Sequence, residues 1–123
     1  YEARDLILDS YEKSENKKIV VFNKEDKFGD EDIQRVLKDK DEVLFFVRYR
    51  DTDDNWSSKA VRNNEIDYSN RKDFPKEWGG LRDEELAEVS GIEDAKFCHK
   101  GLFLAVAKSK ESAIKMSEIA INQ

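Results

Sequence analysis

Cysteine occurs once, at Cys98, so no internal disulfide can brace the fold. A lone thiol inside an apolar run fits a reducing, cytoplasmic compartment. Histidine also occurs once, at His99. Two-metal phosphoester hydrolysis needs several carboxylates, and usually histidines, around ions about 3.5–4 Å apart. With one histidine and no Asp-His-His or His-x-Asp element, the sequence argues against a self-contained site of that kind, and no metal or other cofactor is expected in this chain. No segment approaches the ~20 apolar residues needed to cross a bilayer, and no signal-like opening exists, so no membrane partner is expected. The first residue is Tyr1 rather than Met, which suggests a fragment of something longer. Internal repeats and low-complexity segments are also absent.

What is present is charge and aromatic surface. Charged residues make up 41% of the 123 positions and apolar ones 38%, but seven Phe, two Trp and four Tyr supply enough aromatic area for the core of one domain spanning residues 1–123. The net charge of -6 argues against a duplex-binding surface, whose affinity comes from cations set against phosphates. Arg48, Arg50, Lys59, Arg62, Arg71 and Lys72 crowd the middle of the chain. Acids gather at Glu25 to Asp32, Asp39 to Glu42 and Asp51 to Asp54, and a salt-laced surface accounts for both sets.

Hydrophobic spacing predicts an opening helix over residues 2–13, with Ala3, Leu6, Ile7 and Tyr11 on one face. Ile19 to Phe22 is a short β-branched run, read as a strand buried on both faces. A helix then starts at Gly29-Asp30, with acids in its first turn, where the helix dipole favours them, and Ile33, Val36 and Leu37 inward. Val43 to Arg50 and Trp56 to Arg62 flank the turn cluster Asp51-Thr52-Asp53-Asp54-Asn55 and predict an antiparallel hairpin. Residues Asn63 to Asn70 are polar and irregular. After Pro75 and Gly79-Gly80, a helix is expected from about Arg82 to Ser90, with Leu86 and Val89 inward and Gly91 ending it. Lys96 to Ala107 reads as two strands joined at Lys100-Gly101. Ser109 is a natural N-cap for a last helix with Ala113, Met116 and Ala120 inward and Ile114 and Ile121 beside them. The order α-β-α-β-β-α-β-β-α predicts an α+β fold, a mixed or antiparallel sheet covered by helices.

Few residues carry chemistry. Cys98 and His99 are neighbours on a strand and point to opposite faces, so they do not form a nucleophile and base pair. Cys98 is expected to pack as a small hydrophobe while His99 hydrogen-bonds at the sheet edge or a cleft. Gly79-Gly80 either exposes backbone N–H groups to an anion or forms a tight turn after Trp78, itself read as a core anchor.

Phe74 to Ser117 holds Pro75, Trp78, Gly80, Arg82, Asp83, Glu84, Leu86, Ser90, Gly91, His99, Phe103, Glu111, Ala113 and Met116 in an ungapped order. In this block the chain resembles the C-terminal part of the melanocyte-proliferating-gene family, DHH-superfamily proteins described as metal-dependent hydrolases and 3′ to 5′ RNA exonucleases. That family's tail reads approximately Leu-Pro-Glu-x-Trp-Arg-Gly-Leu-Arg-Asp-Glu-x-Leu, then Val-Ser-Gly-Ile, then Phe-x-His-x-x-Gly-Phe-Ile-Gly-Gly. Trp56 ahead of Ala60-Val61 follows its Trp-x-x-x-Ala-Val element, more loosely. Two departures stand out. Gly79 replaces the arginine after tryptophan, and Ala105-Val106 replaces the Gly-Gly after the strand, where a Cβ at both positions obstructs backbone approach to a phosphate.

The resemblance implies a DHH-associated-domain-like fold. It also implies a substrate-binding or accessory role in a phosphoesterase whose catalytic DHH domain, with its manganese or magnesium, lies before Tyr1. Arg82 and His99, with Arg71 and Lys108, would hold the phosphate or 3′ end of an RNA or nucleotide substrate. For Arg82 the alternative is a salt bridge or helix-start bond to Asp83, Glu84 or Glu85. A rival reading is a stand-alone protein-interaction or assembly module that kept the fold without the nucleotide role. Self-association into a homo-oligomer is compatible with either.

Overall fold

The computed structural model describes residues 2–26, 28–63 and 69–123, the first two of them by backbone alone. Its elements follow the expected order: α1 (Glu2–Lys13), β1 (Ile19–Val21), α2 (Asp30–Leu37), β2 (Phe45–Arg50), β3 (Asn55–Ala60), a 3-10 turn (Lys76–Trp78), α3 (Asp83–Ser90), β4 (Ala95–Cys98), β5 (Leu104–Ala107) and α4 (Lys110–Ile121). The strands form one open sheet in the order β1-β2-β3-β5-β4. Only β1 and β2 run parallel, so the sheet is mixed and the fold is α+β.

Both faces of the sheet are buried where helices reach them. Val20, Phe22, Phe46 and Val61 pack with Ile7 of α1 and Ile33, Val36 and Leu37 of α2. On the other face, Phe45, Ala60, Cys98, Ala105 and Ala107 meet Phe74, Trp78, Leu86 of α3, and Met116 and Ala120 of α4. Trp78 is 2% exposed and stacks on Phe74, so it is a core anchor. Truncating any of these buried aromatics costs about 3–5 kcal/mol, because the hole left behind does not collapse. Ser109 caps α4 by accepting the Ser112 N–H at 3.2 Å. Gly91 ends α3 at φ 78°, a left-handed angle that favours glycine.

Two inward assignments need correction. Leu6 is 47% exposed, whereas Ile7 of the same predicted face is fully buried, with Leu8 and Tyr11 partly buried beside it. Val89 is 50% exposed. It sits about 60° round the helix from the buried Leu86, in the last turn of a short helix. The place of Ala3 on the α1 face, and residues 64–68 of the irregular segment, lie outside what is described.

The acids in the first turn of α2 do more than answer the helix dipole. Asp30 takes Arg48 Nε at 2.5 Å and Lys59 Nζ at 3.0 Å, while Glu31 takes Arg62 at 2.8 Å. Gln34, almost fully buried, donates to the Ala60 carbonyl and accepts the Arg62 N–H. Arg48, Lys59 and Arg62 are thus part of a lattice tying α2 to the hairpin.

Candidate functional site

A bulge in β4 sets up the site. Ala95 pairs with Ala107 and Phe97 with Val106, so the register shifts between Ala95 and Phe97. In a regular strand Ala95 and Phe97 would share a face. With the bulge, Ala95 and Cys98 both point into the core and Phe97 is left on the outer side. Arg82 comes beside it because residues 80–82 run along the free edge of β4. Gly80, at φ 79°, donates to the Cys98 carbonyl, Cys98 N–H donates to the Leu81 carbonyl, and Arg82 and Phe97 form an antiparallel bridge. The Arg82 guanidinium then lies 4.6 Å from the Phe97 ring centroid. Among the described residues no carboxylate pairs with it, although Asp83, Glu84 and Glu85 follow directly.

His99 lies next along the same side. Its ring is 6.2 Å from Phe97 and 4.4 Å from Phe103, and Lys59 Nζ lies 5.8 Å from the far ring of that row. The turn after β4 shapes this arrangement. His99 accepts the Leu102 N–H, and Leu102 takes up a left-handed φ of 61°, held by the Phe74 N–H on its carbonyl. The sequence Arg82, Phe97, His99, Phe103, Lys59 is therefore a row of two cations and three rings. Beside Phe103 opens a cleft of about 170 Å³ lined by Gln34, Lys59, Ala60, Arg62 and Asn70. Sequence reasoning gave Phe97, Phe103 and Lys59 no role. The alternation of rings with the family histidine was visible, but their shared side depends on the bulge and the turn.

The other two candidate cations are elsewhere. Arg71 donates to the carbonyls of Lys40 at 2.7 Å, Val43 at 2.8 Å and Lys38 at 2.9 Å, closing the C-terminal end of α2. Lys108 donates to the backbone and carboxylate of Asp54, pinning the β2-β3 turn. It follows the far end of β5, about 13 Å along the strand from the His99 turn. The structure brings Arg82 and His99 together and leaves Arg71 and Lys108 out of their row.

The remaining features have structural uses. Cys98 is fully buried, and burial pushes its thiol up to about 12, away from the reactive thiolate. Gly79 and Gly80 donate to the Lys76 and Cys98 carbonyls, which makes this segment a tight turn rather than an anion cradle. Ala105 and Val106 lie within β5, not after a strand, paired to β3 on one side and β4 on the other. Among the described residues no three His, Cys, Asp or Glu side chains gather as a metal ion would require. No described helix is long and apolar enough to cross a membrane.

A family model described as "MYG1_exonuc: Uncharacterised protein family (UPF0160)" matches residues 1–121. The chain belongs to the MYG1 family. Among MYG1 relatives, the MYG1 protein of Dictyostelium discoideum is 38% identical over 86 residues, covering 70% of this chain and 26% of that protein. The human protein named MYG1 exonuclease is 34% identical over 81 residues, 66% of this chain and 22% of that protein. A MYG1 protein of Chlamydia pneumoniae reaches 57% over 42 residues, 34% of this chain and 14% of that protein. The chain thus spans about a quarter or less of the MYG1 relatives it matches. No solved structure matches it.

Proposed function

We propose that this chain is the substrate-binding or accessory domain of a MYG1-type metal-dependent phosphoesterase or exonuclease of the DHH superfamily, acting on RNA or nucleotides in a reducing cytoplasm. It is not catalytic alone. The observation that carries the reading is the Arg82-Phe97-His99-Phe103-Lys59 row. Single-stranded nucleic acid is held by rings on which bases stack and by cations that meet the backbone; this row supplies three rings and the Arg82 guanidinium, while Lys59 at its far end is paired with Asp30, and it lacks the broad basic surface a duplex needs. The name of the human relative, MYG1 exonuclease, supports the substrate class. A catalytic DHH domain elsewhere in such a protein would supply the metal ligands, and Arg82 and His99 would face its cleft. Arg71 and Lys108, taken up by carbonyls and by Asp54, serve the fold.

Incubating the chain with a short RNA and manganese tests the first half. We expect no hydrolysis, and robust cleavage abolished by a chelator would refute the assignment. Fluorescence anisotropy with a labelled oligouridylate tests the second half. Weak, salt-sensitive binding that Arg82→Ala reduces is expected.

One observation favours the assembly-module reading. Ala105 and Val106 have no free backbone groups for a phosphate, since β5 is paired on both sides. Saturable binding of another protein, unchanged by Arg82→Ala and His99→Ala, would decide for it.

A further inference from the structure

We infer that the Gly101 N–H fixes the tautomer of the neutral His99 ring, with Nδ1 as acceptor and the proton on Nε2, and that Nε2–H binds an anionic phosphate oxygen of the substrate. The inference rests on the reading that the Arg82-to-Lys59 row takes a phosphate-bearing strand.

Two independent features of the turn point to it. The Gly101 N–H donates to His99 Nδ1 at 2.9 Å. A backbone N–H has no second role, so Nδ1 must be the acceptor and the neutral ring must carry its proton on Nε2. The absence of a side chain at Gly101 is the other feature. A Cβ there would stand 3.2 Å from His99 Nδ1 and 3.1 Å from Phe103 Cδ1, closer than such contacts normally come. Glycine therefore lets both rings close over the turn while its N–H sets the tautomer.

The consequence is chemical. Nε2 lies across the ring from the occupied Nδ1, and among the described residues it has no protein partner. A donor with no acceptor, half-buried between Phe97 and Phe103 and in the same row as the unpaired Arg82 guanidinium, suits an anionic oxygen. The ring needs no extra proton to bind it. Full protonation would instead aim an Nδ1–H at the Gly101 N–H and break the bond that orients the ring.

The test uses the 123-residue chain. Nitrogen-15 NMR of the imidazole at about pH 8, where free imidazole is neutral, is expected to show the Nε2–H tautomer. The Nδ1–H tautomer, or an even mixture, would overturn the inference. His99→Asn places an amide oxygen near the old Nδ1 position, so it can still accept from Gly101, but it lacks the distal donor. Oligouridylate binding by this variant should fall about tenfold, the usual worth of a hydrogen bond to a charged group. His99→Gln, which restores a distal N–H, should recover part of the loss. If His99→Asn binds like the parent chain while Arg82→Ala is weakened, the His99 assignment fails and the row stands. If neither variant is weakened, the row itself is wrong. Gly101→Ala keeps the N–H but crowds both rings, and it should shift the tautomer ratio and weaken binding; an unchanged ratio and affinity would count against the positioning role.

Discussion

Arg82 and Phe97 meet twice, once as a backbone bridge and once as a guanidinium over a ring at 4.6 Å. The backbone bridge determines where the side chains can be. The cation over the ring is then held at the end of a row of aromatics, beside three acids that it does not pair with.

If that contact is a true cation–π pair, a double-mutant cycle of Arg82→Ala and Phe97→Ala will show about 0.5–1 kcal/mol of coupling in urea denaturation. In the binding assay, Arg82→Ala should also lower the slope of log affinity against log salt by about 0.7, the share of one phosphate contact on a single strand. An unchanged slope would mean that Arg82 touches no phosphate.

Arg71→Ala should behave in the opposite way. Its guanidinium satisfies carbonyls at the end of α2, so removal costs about 1–3 kcal/mol of stability while RNA affinity at a temperature where the chain is folded stays unchanged. Arg71→Lys should not rescue it, because an ammonium cannot reproduce the planar fork. Thermal melts and anisotropy on the same samples separate the two effects.

Ser58 and Ser117 share a short hydrogen bond between β3 and α4, both fully buried, and Ser117 also donates to the Ala113 carbonyl at 3.3 Å. Ser117→Ala alone strands the Ser58 hydroxyl and should cost about 1–3 kcal/mol. The Ser58→Ala/Ser117→Ala pair should cost less than the sum of the two single changes. A double variant as unstable as the sum would show that the hydroxyls do not depend on one another.

Asp30 gives the chain an acid-sensitive brace. Burial would raise its carboxyl, but Lys59 and Arg48 outweigh that and hold it below the ordinary value of 3.8. A carboxylate lowered on folding stabilises fully above its unfolded value and loses that contribution as the pH falls through the lower folded value. Asp30→Asn should therefore destabilise at neutral pH and flatten the stability curve as the pH falls through and below the ordinary carboxylate value, as followed by denaturant midpoints. Equal pH dependence in both proteins would rule the brace out.

Much of the fold was legible because local signals and burial agree. The β-branched run at Ile19 to Val21, the Ser109 cap and the left-handed Gly91 each stand where short-range chemistry puts them. Leu6 and Val89 were misplaced because spacing gives a stripe on a helix but not the length of neighbour that covers it. The candidate row was only partly legible. Arg82 and His99 came from the order of residues in the Phe74 to Ser117 block, while Arg71 and Lys108 are basic residues whose partners, the α2 carbonyls and Asp54, are far away in sequence.

The sequence by itself determined the order of helices and strands, the burial of the aromatic core and the family to which the chain belongs. The tertiary structure alone decided which of the candidate cations are taken up by protein partners and which side of β4 carries Phe97. The reason is that a bulge is set by pairing with β5, and the left-handed Leu102 by Phe74. The first is a shift in hairpin register that the hydrophobic pattern does not show, and the second is a contact between residues far apart in sequence.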